Sequence, residues 1–304
     1  MHVRPPVIHR ILCPTDFSET SAHAIVHATA IARWYGASLT VLHVYDAVLT
    51  SIPGMPIRSN EIPEAELSRI REKMSASCVA ATAAGVQVEV VVATGDAAAA
   101  ILGRAGQLSA DLIVIGTHGL SGFEHFMLGS VAEKVLRKAR CTVLTVPPHA
   151  ASSQLPFKRI LCAVDFSEWS LRALVLARSL AKESGARLTL MTVIEWPWEE
   201  TSAPVFTDLP EAQAAALAEF RRYAEDTALR RLKSICEEER GATPEIRLSH
   251  GKPAARIVQT AEDIGADLIV LGVHGRNILD IGIFGSTVNQ VIRRARCGVV
   301  TTRV

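Results

Sequence analysis

The strongest constraint on this chain is that its sequence repeats itself once. RILCPTDFSE (10–19) returns as RILCAVDFSE (159–168), with eight of ten positions identical. DLIVIGTHG (111–119) returns as DLIVLGVHG (267–275), with seven of nine identical. The first pair lies 149 residues apart and the second pair 156, so the second copy carries seven extra residues in its middle. This period exceeds that of solenoid repeats and indicates a duplicated domain.

The 304 residues accordingly divide into two predicted domains, 1–147 and 157–304, each long enough to bury its own core. A linker is predicted at 148–156, where Pro, Ser and Ala follow no apolar period. In the second copy, residues 211–240 are predicted to form a long amphipathic helix.

Within the first copy, apolar runs alternate with segments whose apolar residues recur at helical spacing. Such alternation favours a parallel sheet with helices on both faces, whose ligands bind beyond the carboxyl ends of the strands. The connection at 46–63 contains three prolines and is predicted to be irregular. The predicted strands are 7–13, 38–45, 86–94, 111–117 and 141–146, and the predicted helices are 19–35, 64–84, 96–108 and 130–139.

The charge balance and the cysteines argue against several classes of protein. Lys and Arg number 32 against 31 Asp and Glu, so no basic surplus indicates a nucleic-acid partner. No apolar run approaches the roughly 18–20 residues of a membrane span, and the first residues lack the apolar stretch of a signal peptide. The six cysteines form no C-x-x-C pair and are expected to be small buried side chains in a cytoplasmic protein.

After the predicted fourth strand, both copies carry the pattern G-x-x-G-x9-G-S. Glycines let backbone N–H groups approach an anion closely, and a helix start adds free N–H groups and the positive end of the helix dipole. The pattern therefore predicts a polyphosphate site. The alternative is that the glycines only form turns and the serines are ordinary helix N-caps. The residues concerned are Gly116, Gly119, Gly129 and Ser130, and Gly272, Gly275, Gly285 and Ser286.

A carboxylate follows the predicted first strand in each copy, at Asp16 and Asp165. At this position it can accept a hydrogen bond from a base or ribose, hold a metal, or cap the next helix. Val44 and Val193 end the predicted second strands, where their backbone groups can contact a base or simply belong to the strand core.

Histidines are the candidate titrating groups. His118 and His274 lie within the two glycine patterns, and we expect them to line the site rather than to catalyse a reaction. His23 and His27 lie four residues apart on a predicted helix and are interpreted as surface or partly packed positions.

The sequence lacks the motifs of several nucleotide enzymes. Neither copy contains GxxxxGK[ST], a G-x-G-x-x-G after its first strand, or a GxSxG elbow. No lysine lies within either glycine pattern, whereas enzymes of phosphoryl transfer ordinarily supply a cation there. Binding is therefore favoured over rapid turnover, and no residue is assigned a catalytic role.

Almost the whole chain resembles the universal stress protein (UspA-like) family in its tandem, ATP-binding form. The resemblance rests on PTDFSE (14–19), LHV (42–44) and the G-x-x-G-x9-G-S pattern, and it covers about 7–147 and 157–304. It implies an α/β fold of two tandem Rossmann-like (adenine nucleotide α-hydrolase-like) domains. Each would hold a five-stranded parallel sheet in the order 3-2-1-4-5, with helices on both faces and ATP at its carboxyl edge.

The resemblance also implies which residues contact the nucleotide. Asp16 and Val44 would hold adenine, and the glycine pattern with Val131 would hold ribose and phosphates, with Mg²⁺ bound through the phosphates rather than by protein ligands. The first-copy set is Pro14, Thr15, Asp16, Val44, Gly116, His118, Gly119, Gly129, Ser130 and Val131. The second-copy set is Ala163, Val164, Asp165, Val193, Gly272, His274, Gly275, Gly285, Ser286 and Thr287. The second copy has Ala163-Val164 where the first has Pro14-Thr15, and Thr287 where the first has Val131. We therefore expect the first site to match the family better.

Three functions are consistent with these features. The leading one is an ATP-binding regulatory or stress-response protein with slow hydrolysis at most. One alternative is an ATP-hydrolysing or adenylyl-transferring enzyme of related fold. The other is a nucleotide-independent interaction module, with Trp196 and Trp198 as candidate contacts or as part of a lid. The family resemblance further suggests pairing of fifth-strand edges, within the chain as a pseudo-dimer or in a homodimer, and an unknown regulatory partner.

Overall fold

The structure is a computed structural model of the chain. It describes residues 8–45, 50–52, 55–57, 62–117, 128–148, 150, 155–196, 210–237, 243–273 and 285–303. The first half contains β1 (Arg10–Thr15), α1 (Glu19–Tyr35), β2 (Ser38–Tyr45), β3 (Thr50–Ile52), β4 (Met55–Ile57), α2 (Glu64–Ala83), β5 (Val88–Thr94), α3 (Ala97–Leu108), β6 (Leu112–Gly116), α4 (Ser130–Lys138) and β7 (Thr142–Val146).

The second half repeats this series, and its described residues include no counterpart of the small β3–β4 pair. It contains β8 (Arg159–Ala163), α5 (Glu168–Ser184), β9 (Arg187–Ile194), α6 (Glu211–Glu237), β10 (Glu245–His250), α7 (Pro253–Asp263), β11 (Leu268–Gly272), α8 (Ser286–Arg294) and β12 (Gly298–Thr302). The predicted alternation of strands and helices is confirmed in both halves.

The connection at 46–63 differs from the prediction of an irregular segment. Its described part holds a short antiparallel ladder in which Thr50 of β3 pairs with Ile57 of β4. Pro56 lies within β4. A two-stranded ribbon has two open edges, so a proline there need not remove a ladder hydrogen bond. The prolines therefore do not prevent strand pairing in this segment.

Ten strands form one sheet, in the order β10-β9-β8-β11-β12-β7-β6-β1-β2-β5. Within each half the pairing is parallel, and the strands stand in the order third, second, first, fourth, fifth, as the family resemblance implies. The first and fourth strands are neighbours in space but not in sequence. The strand order therefore reverses between them, which is where open α/β sheets bind ligands.

Helices cover both faces of this sheet. α1, α2, α5 and α6 pack on one face, and α3, α4, α7 and α8 pack on the other. Strand β1 shows the cause, because Ile11 and Cys13 belong to the first core and Leu12 to the second. Side chains of a strand alternate between faces, so a strand buried on both sides is apolar throughout. Among the described residues, no helix is both long and apolar enough to cross a membrane.

The six cysteines are free thiols, and all but the half-buried Cys141 are buried. Burial raises the pKa of Cys162 and of Cys297 to about 12, because the thiolate loses its hydration. The reactive thiolate is then scarce at neutral pH. These side chains therefore serve as small hydrophobic groups, as predicted from the sequence.

The two halves join through their fifth strands. β7 and β12 pair antiparallel, with Leu144 opposite Val300, and the buried Thr145 hydroxyl donates to the Val299 carbonyl at 3.1 Å. Arg303 donates to the Leu136 carbonyl at 3.0 Å, at the end of α4. The fifth-strand edges thus pair within the chain, which is the pseudo-dimer alternative.

His27 corrects the interpretation of its position, because its side chain is fully buried in α1. Its Nδ1 lies 2.9 Å from the His23 carbonyl oxygen, while Nε2 has no hydrogen-bond partner among the described residues. The Phe157 ring lies 6.1 Å away. Burial lowers the pKa of His27, because the imidazolium form would lose its hydration. Leu176 occupies the equivalent position of α5.

We expect His27→Leu, which copies the second half, to stabilise the protein, and more so in acid. Near neutral pH the substitution removes a buried unpaired nitrogen, a gain of about 1 kcal/mol. Below the ordinary histidine pKa of about 6.5, the unfolded chain takes up a proton that the folded chain resists, so the wild type loses stability that the variant keeps. Guanidinium unfolding of the wild type and the variant, at neutral pH and below the ordinary histidine pKa, measures the difference in their free energies of unfolding.

The reciprocal variant Leu176→His is the matched control and should acquire the acid sensitivity that His27→Leu loses. If the wild type and His27→Leu lose stability in parallel on acidification, His27 is not the group responsible.

Candidate functional site

The turn after the first strand has the same unusual geometry in both halves. Phe17 and Phe166 each have a φ of 64°, in the left-handed region that bulky residues rarely adopt. The Asp16 carboxylate accepts hydrogen bonds from the Ser18 backbone N–H at 3.0 Å and from its hydroxyl at 2.6 Å. Asp165 holds Ser167 in the same way and at the same distances. A strained backbone held by identical bonds in both copies marks this turn as a candidate for function.

The serine of this turn, and not the aspartate, caps the helix. Ser18 accepts a hydrogen bond from the Ser21 N–H at 3.2 Å, and Ser167 accepts one from Ser170 at 3.3 Å. The alternative that Asp16 itself caps α1 is therefore wrong. The aspartate orients the capping serine, and it stands at the carboxyl end of the first strand.

A cation lies over the phenylalanine of each turn. Lys73 Nζ lies 4.2 Å from the centre of the Phe17 ring, and Arg231 Cζ lies 4.7 Å from that of Phe166. These contacts are within the range of a cation–π interaction. Both cations come from the long helices α2 and α6. Neither cation is recognisable from the sequence motifs, because both lie outside the glycine patterns.

The first glycine of each pattern is required by packing. A Cβ at Gly116 would lie 3.0 Å from Thr20 Cγ2, and a Cβ at Gly272 would lie 2.6 Å from the backbone carbonyl carbon of Trp169. These glycines let the start of α1 and of α5 approach the end of the fourth strand. These two glycines therefore have a steric role, beside the phosphate contact that the pattern predicts.

The later glycines begin the helices that follow. Gly129 and Gly285 are the N-caps of α4 and α8 and donate their N–H groups to Thr117 and Val273, at 2.7 and 3.3 Å. Ser130 and Ser286 are the exposed first residues of these helices and follow the N-cap glycines, so the alternative that the serines are N-caps is wrong. His118, Gly119, His274 and Gly275 lie outside the described residues.

The ends of the second strands extend beyond the first strands. The β1–β2 register ends at Thr15 and His43, and Val44 pairs only onward to Ala93 of β5. In the second half the β8–β9 register ends at Ala163 and Met191, two residues before Val193. One side of each valine backbone therefore faces the switch-point crevice rather than the first strand.

In the second half these features surround one cleft of about 910 Å³. It opens at the carboxyl ends of β8, β9 and β11, with α6, α7 and α8 as further walls. Eight predicted site residues border it: Ala163, Val164, Asp165, Val193, Gly272, Gly285, Ser286 and Thr287. In the first half, Pro14 and Thr15 are buried at the end of β1, while Asp16, Val44, Gly116, Gly129 and Val131 are half-buried.

Helix α6, the counterpart of α2, forms one wall of this cleft. Ala228 and Leu232 of its apolar face are buried, whereas Phe220 and Tyr223 are 54% and 65% exposed and border the cleft. Trp196 is buried and stacks on His250 with ring centres 6.1 Å apart. Trp196 therefore belongs to the packing beside α6 and is not an exposed contact. Trp198 lies outside the described residues.

Comparison with known proteins agrees with this architecture. The model of the universal stress protein family matches residues 8–147 and 156–303. The chain belongs to the universal stress protein family. Among its relatives, the Bacillus subtilis universal stress protein YxiE is 34% identical over 151 residues, which span 46% of this chain and 99% of that protein.

Two relatives of tandem length are similar to both halves at once. The Mycobacterium tuberculosis universal stress protein Rv2005c is 25% identical over 315 residues, covering 99% of each chain. The crystal structure of a universal stress protein from Archaeoglobus fulgidus has a TM-score of 0.65 at 25% identity, covering 96% of this chain and 97% of that one. The tandem universal stress protein arrangement is therefore shared along the whole length.

We expect Gly272→Ala to destabilise this universal stress protein, because the new methyl group would meet the backbone of α5 at 2.6 Å. Overpacking of this kind costs about 1–3 kcal/mol. Gly103→Ala is the control, since a Cβ on the exposed Gly103 in α3 would meet nothing within 4 Å. That variant should gain about 0.5–1 kcal/mol from helix propensity. Equal free energies of unfolding for the two variants would contradict the steric role of Gly272.

Proposed function

We propose that each half of the chain binds ATP at the carboxyl edge of its sheet, and that the protein is a regulatory or stress-response protein. The observation that carries the proposal is the cleft of about 910 Å³, where eight sequence-predicted residues from separate segments converge. Small-molecule sites are commonly clefts of roughly 300–1,000 Å³ with a few convergent polar groups. The size and the position at the switch point both fit a nucleotide.

The base end of the nucleotide would lie against the first and second strands. The Asp165 carboxylate at the end of β8 and the backbone of Val193 border the cleft together. A carboxylate accepts hydrogen bonds from a ribose hydroxyl or an amino group, and a strand backbone offers both a donor and an acceptor. Asp16 and Val44 would act in the same way in the first half.

The phosphate end would lie at the start of α8. Ser286 and Thr287, the first two residues of that helix, border the cleft. A helix start offers backbone N–H groups and the positive end of the dipole to an anion, and the two hydroxyls add donors. Ser130 and Val131 of α4 are the first-half counterparts. We assign Mg²⁺ to the phosphates and no protein side chain to the metal.

The same residues favour binding over turnover. Hydrolysis requires a positioned base for water and cationic groups on the transferred phosphate. Two carboxylates border the cleft at the strand ends, Asp165 and Glu195, and that of Asp165 is engaged with Ser167 at 2.6 Å. We therefore propose slow hydrolysis at most. A cytoplasmic location, a homodimer of tandem chains and a regulatory protein partner remain parts of this proposal.

We expect nucleotide to be recovered from purified protein after denaturation, at one or two equivalents per chain by chromatography and mass spectrometry. Added ATP at a hundredfold excess over Kd should stabilise the fold by about 2.7 kcal/mol. Asp16→Asn and Asp165→Asn keep an oxygen for the capping serine but lose the charge, so each should weaken ATP binding at its own site with little change in the apo melting temperature.

Two results would contradict the proposal. Absence of both co-purified nucleotide and calorimetric binding would show that the glycine patterns are structural turns, and would favour the interaction module. Turnover near the roughly 1–10³ s⁻¹ that is typical of enzymes would favour the hydrolase or adenylyl-transfer alternative.

A further inference from the structure

Helix α6 is longer than its counterpart α2 at the amino-terminal end. The two helices are aligned by Lys73 and Arg231, which lie over the equivalent phenylalanines, and the buried Cys78 and Cys236 share their separation of 158 positions. α6 begins 20 positions before Arg231, whereas α2 begins nine positions before Lys73, so α6 begins eleven residues earlier. The second half thus has about three additional helical turns, at a place where the first half has β4.

The amino-terminal part of α6 presents one row of side chains to the cleft. The row follows the three- and four-residue spacing of a single helix face. At its outer end the rings of Phe220 and Tyr223 are exposed, and the small side chains of Ala224 and Thr227 follow them. The whole row consists of Phe220, Tyr223, Ala224, Thr227, Ala228 and Arg231.

The aligned face of α2 has a different chemistry. Ala65 stands where α6 has Tyr223. Where α6 has its small uncharged residues, α2 has Glu66 and Arg69, which form an ion pair at 3.6 Å. No aromatic residue occurs anywhere in 46–83. The exchange of an ion pair for rings and small side chains makes this wall of the second cleft suited to a flat, largely apolar group.

Two contacts place the aromatic end of α6 beside the end of β9. Glu225 Oε1 lies 3.0 Å from His250 Nε2, and His250 pairs with Ile194 in the ladder of β10 with β9. Tyr223 precedes Glu225 by two residues, so its helical turn stands level with the last residues of β9. Val193, the residue proposed to contact the base, is the neighbour of Ile194. The row on α6 and the proposed base position therefore lie on two sides of the same part of the cleft.

The Phe220 ring is supported from within the protein. Its centre lies 6.1 Å from that of Trp196, in an edge-on arrangement at 62°. Trp196 is buried two residues beyond the end of β9 and stacks on His250. A side chain that is already positioned by its neighbours loses little conformational freedom when a ligand packs against it. Phe220 is thus ordered before any ligand arrives.

We propose that Phe220 and Tyr223 form an aromatic face on which the base of the bound nucleotide stacks, so that α6 contributes to base recognition in the second site and α2 does not in the first. The inference rests on the proposed nucleotide binding and identifies side chains that recognise the base. Aromatic stacking uses the π-face that every base has, and a purine offers a larger face than a pyrimidine.

Calorimetric titration of the full chain with ATP, adenosine and inorganic tripolyphosphate tests this inference. Tyr223→Ala, which copies Ala65, should weaken ATP and adenosine about tenfold at one of the two sites, a change within the range of a single base–aromatic stack. Phe220→Ala should act in the same direction. Tripolyphosphate binding should stay within about twofold, because the phosphate end of the cleft is unchanged. Tyr223→Phe keeps the ring and is the matched control, with binding equal to that of the wild type.

Each other outcome overturns the inference in a distinguishable way. If both alanine variants bind adenosine as the wild type does, nucleotide binding stands and the aromatic face has no part in it. If Tyr223→Phe is as weak as Tyr223→Ala, the hydroxyl and not the ring makes the contact. If tripolyphosphate is weakened as much as ATP, these residues act on the phosphate end. If the wild type binds no ATP, the proposed function itself fails, and the inference with it.

Discussion

The first and fourth strands of each half are held together at both ends, and the candidate site depends on this. At the amino end, the Asp267 carboxylate accepts the Lys158 N–H at 2.7 Å and the Arg159 N–H at 3.2 Å, which ties the start of β11 to that of β8. At the carboxyl end, Gly272 lets α5 begin directly against β11. The chain leaves β8 for α5 on one face of the sheet and leaves β11 for α8 on the other. Because the connections that follow these two neighbouring strands run to opposite faces of the sheet, a crevice remains between them at the carboxyl ends of the strands.

The same constraint explains what the duplication has kept. Asp111 makes the equivalent pair of bonds to His9 and Arg10, at 2.8 and 2.9 Å. The left-handed phenylalanines, the aspartate-held capping serines and the packed glycines also recur in both halves. All of these set backbone geometry at the central strands. Positions that differ between the halves also border the second cleft, such as Thr287, which stands where the first half has Val131.

Much of the fold follows from local signals in the sequence. α1 begins and ends where predicted, because Ser18 caps it and Gly36 adopts the left-handed conformation that ends it. Strands that are buried on both faces can be recognised in the sequence as apolar runs, such as LIVIG of β6. The site residues beside these strands could be listed because the duplication gives each candidate a partner at a fixed offset.

Other features could not be predicted, because they depend on which elements meet in space. His27 resembles a surface position in its helix, but its neighbours include Phe157, the first residue of the second predicted domain. Lys73 and Arg231 reach the turns from α2 and α6. The two residues lie 158 positions apart, so neither the offset of 149 nor that of 156 aligns them. The β3–β4 ribbon could not be predicted because the sequences of its short strands lack the alternation of apolar and polar residues that is typical of a half-buried strand. The two strands pair only with each other.

The antiparallel pairing of β7 with β12 determines where the candidate sites of the two halves lie relative to each other. Parallel strands within each half end at one edge, but the contact between halves reverses the strand direction. The carboxyl edges of the two halves therefore lie at opposite edges of the ten-stranded sheet, while corresponding helices lie on the same face. One ligand cannot bridge the two sites in this arrangement. The contacts that connect the two halves are the ladder with the buried hydrogen bond of Thr145 to Val299 and the side-chain contacts beside it, such as that between the Tyr35 and Ser179 hydroxyls at 2.8 Å.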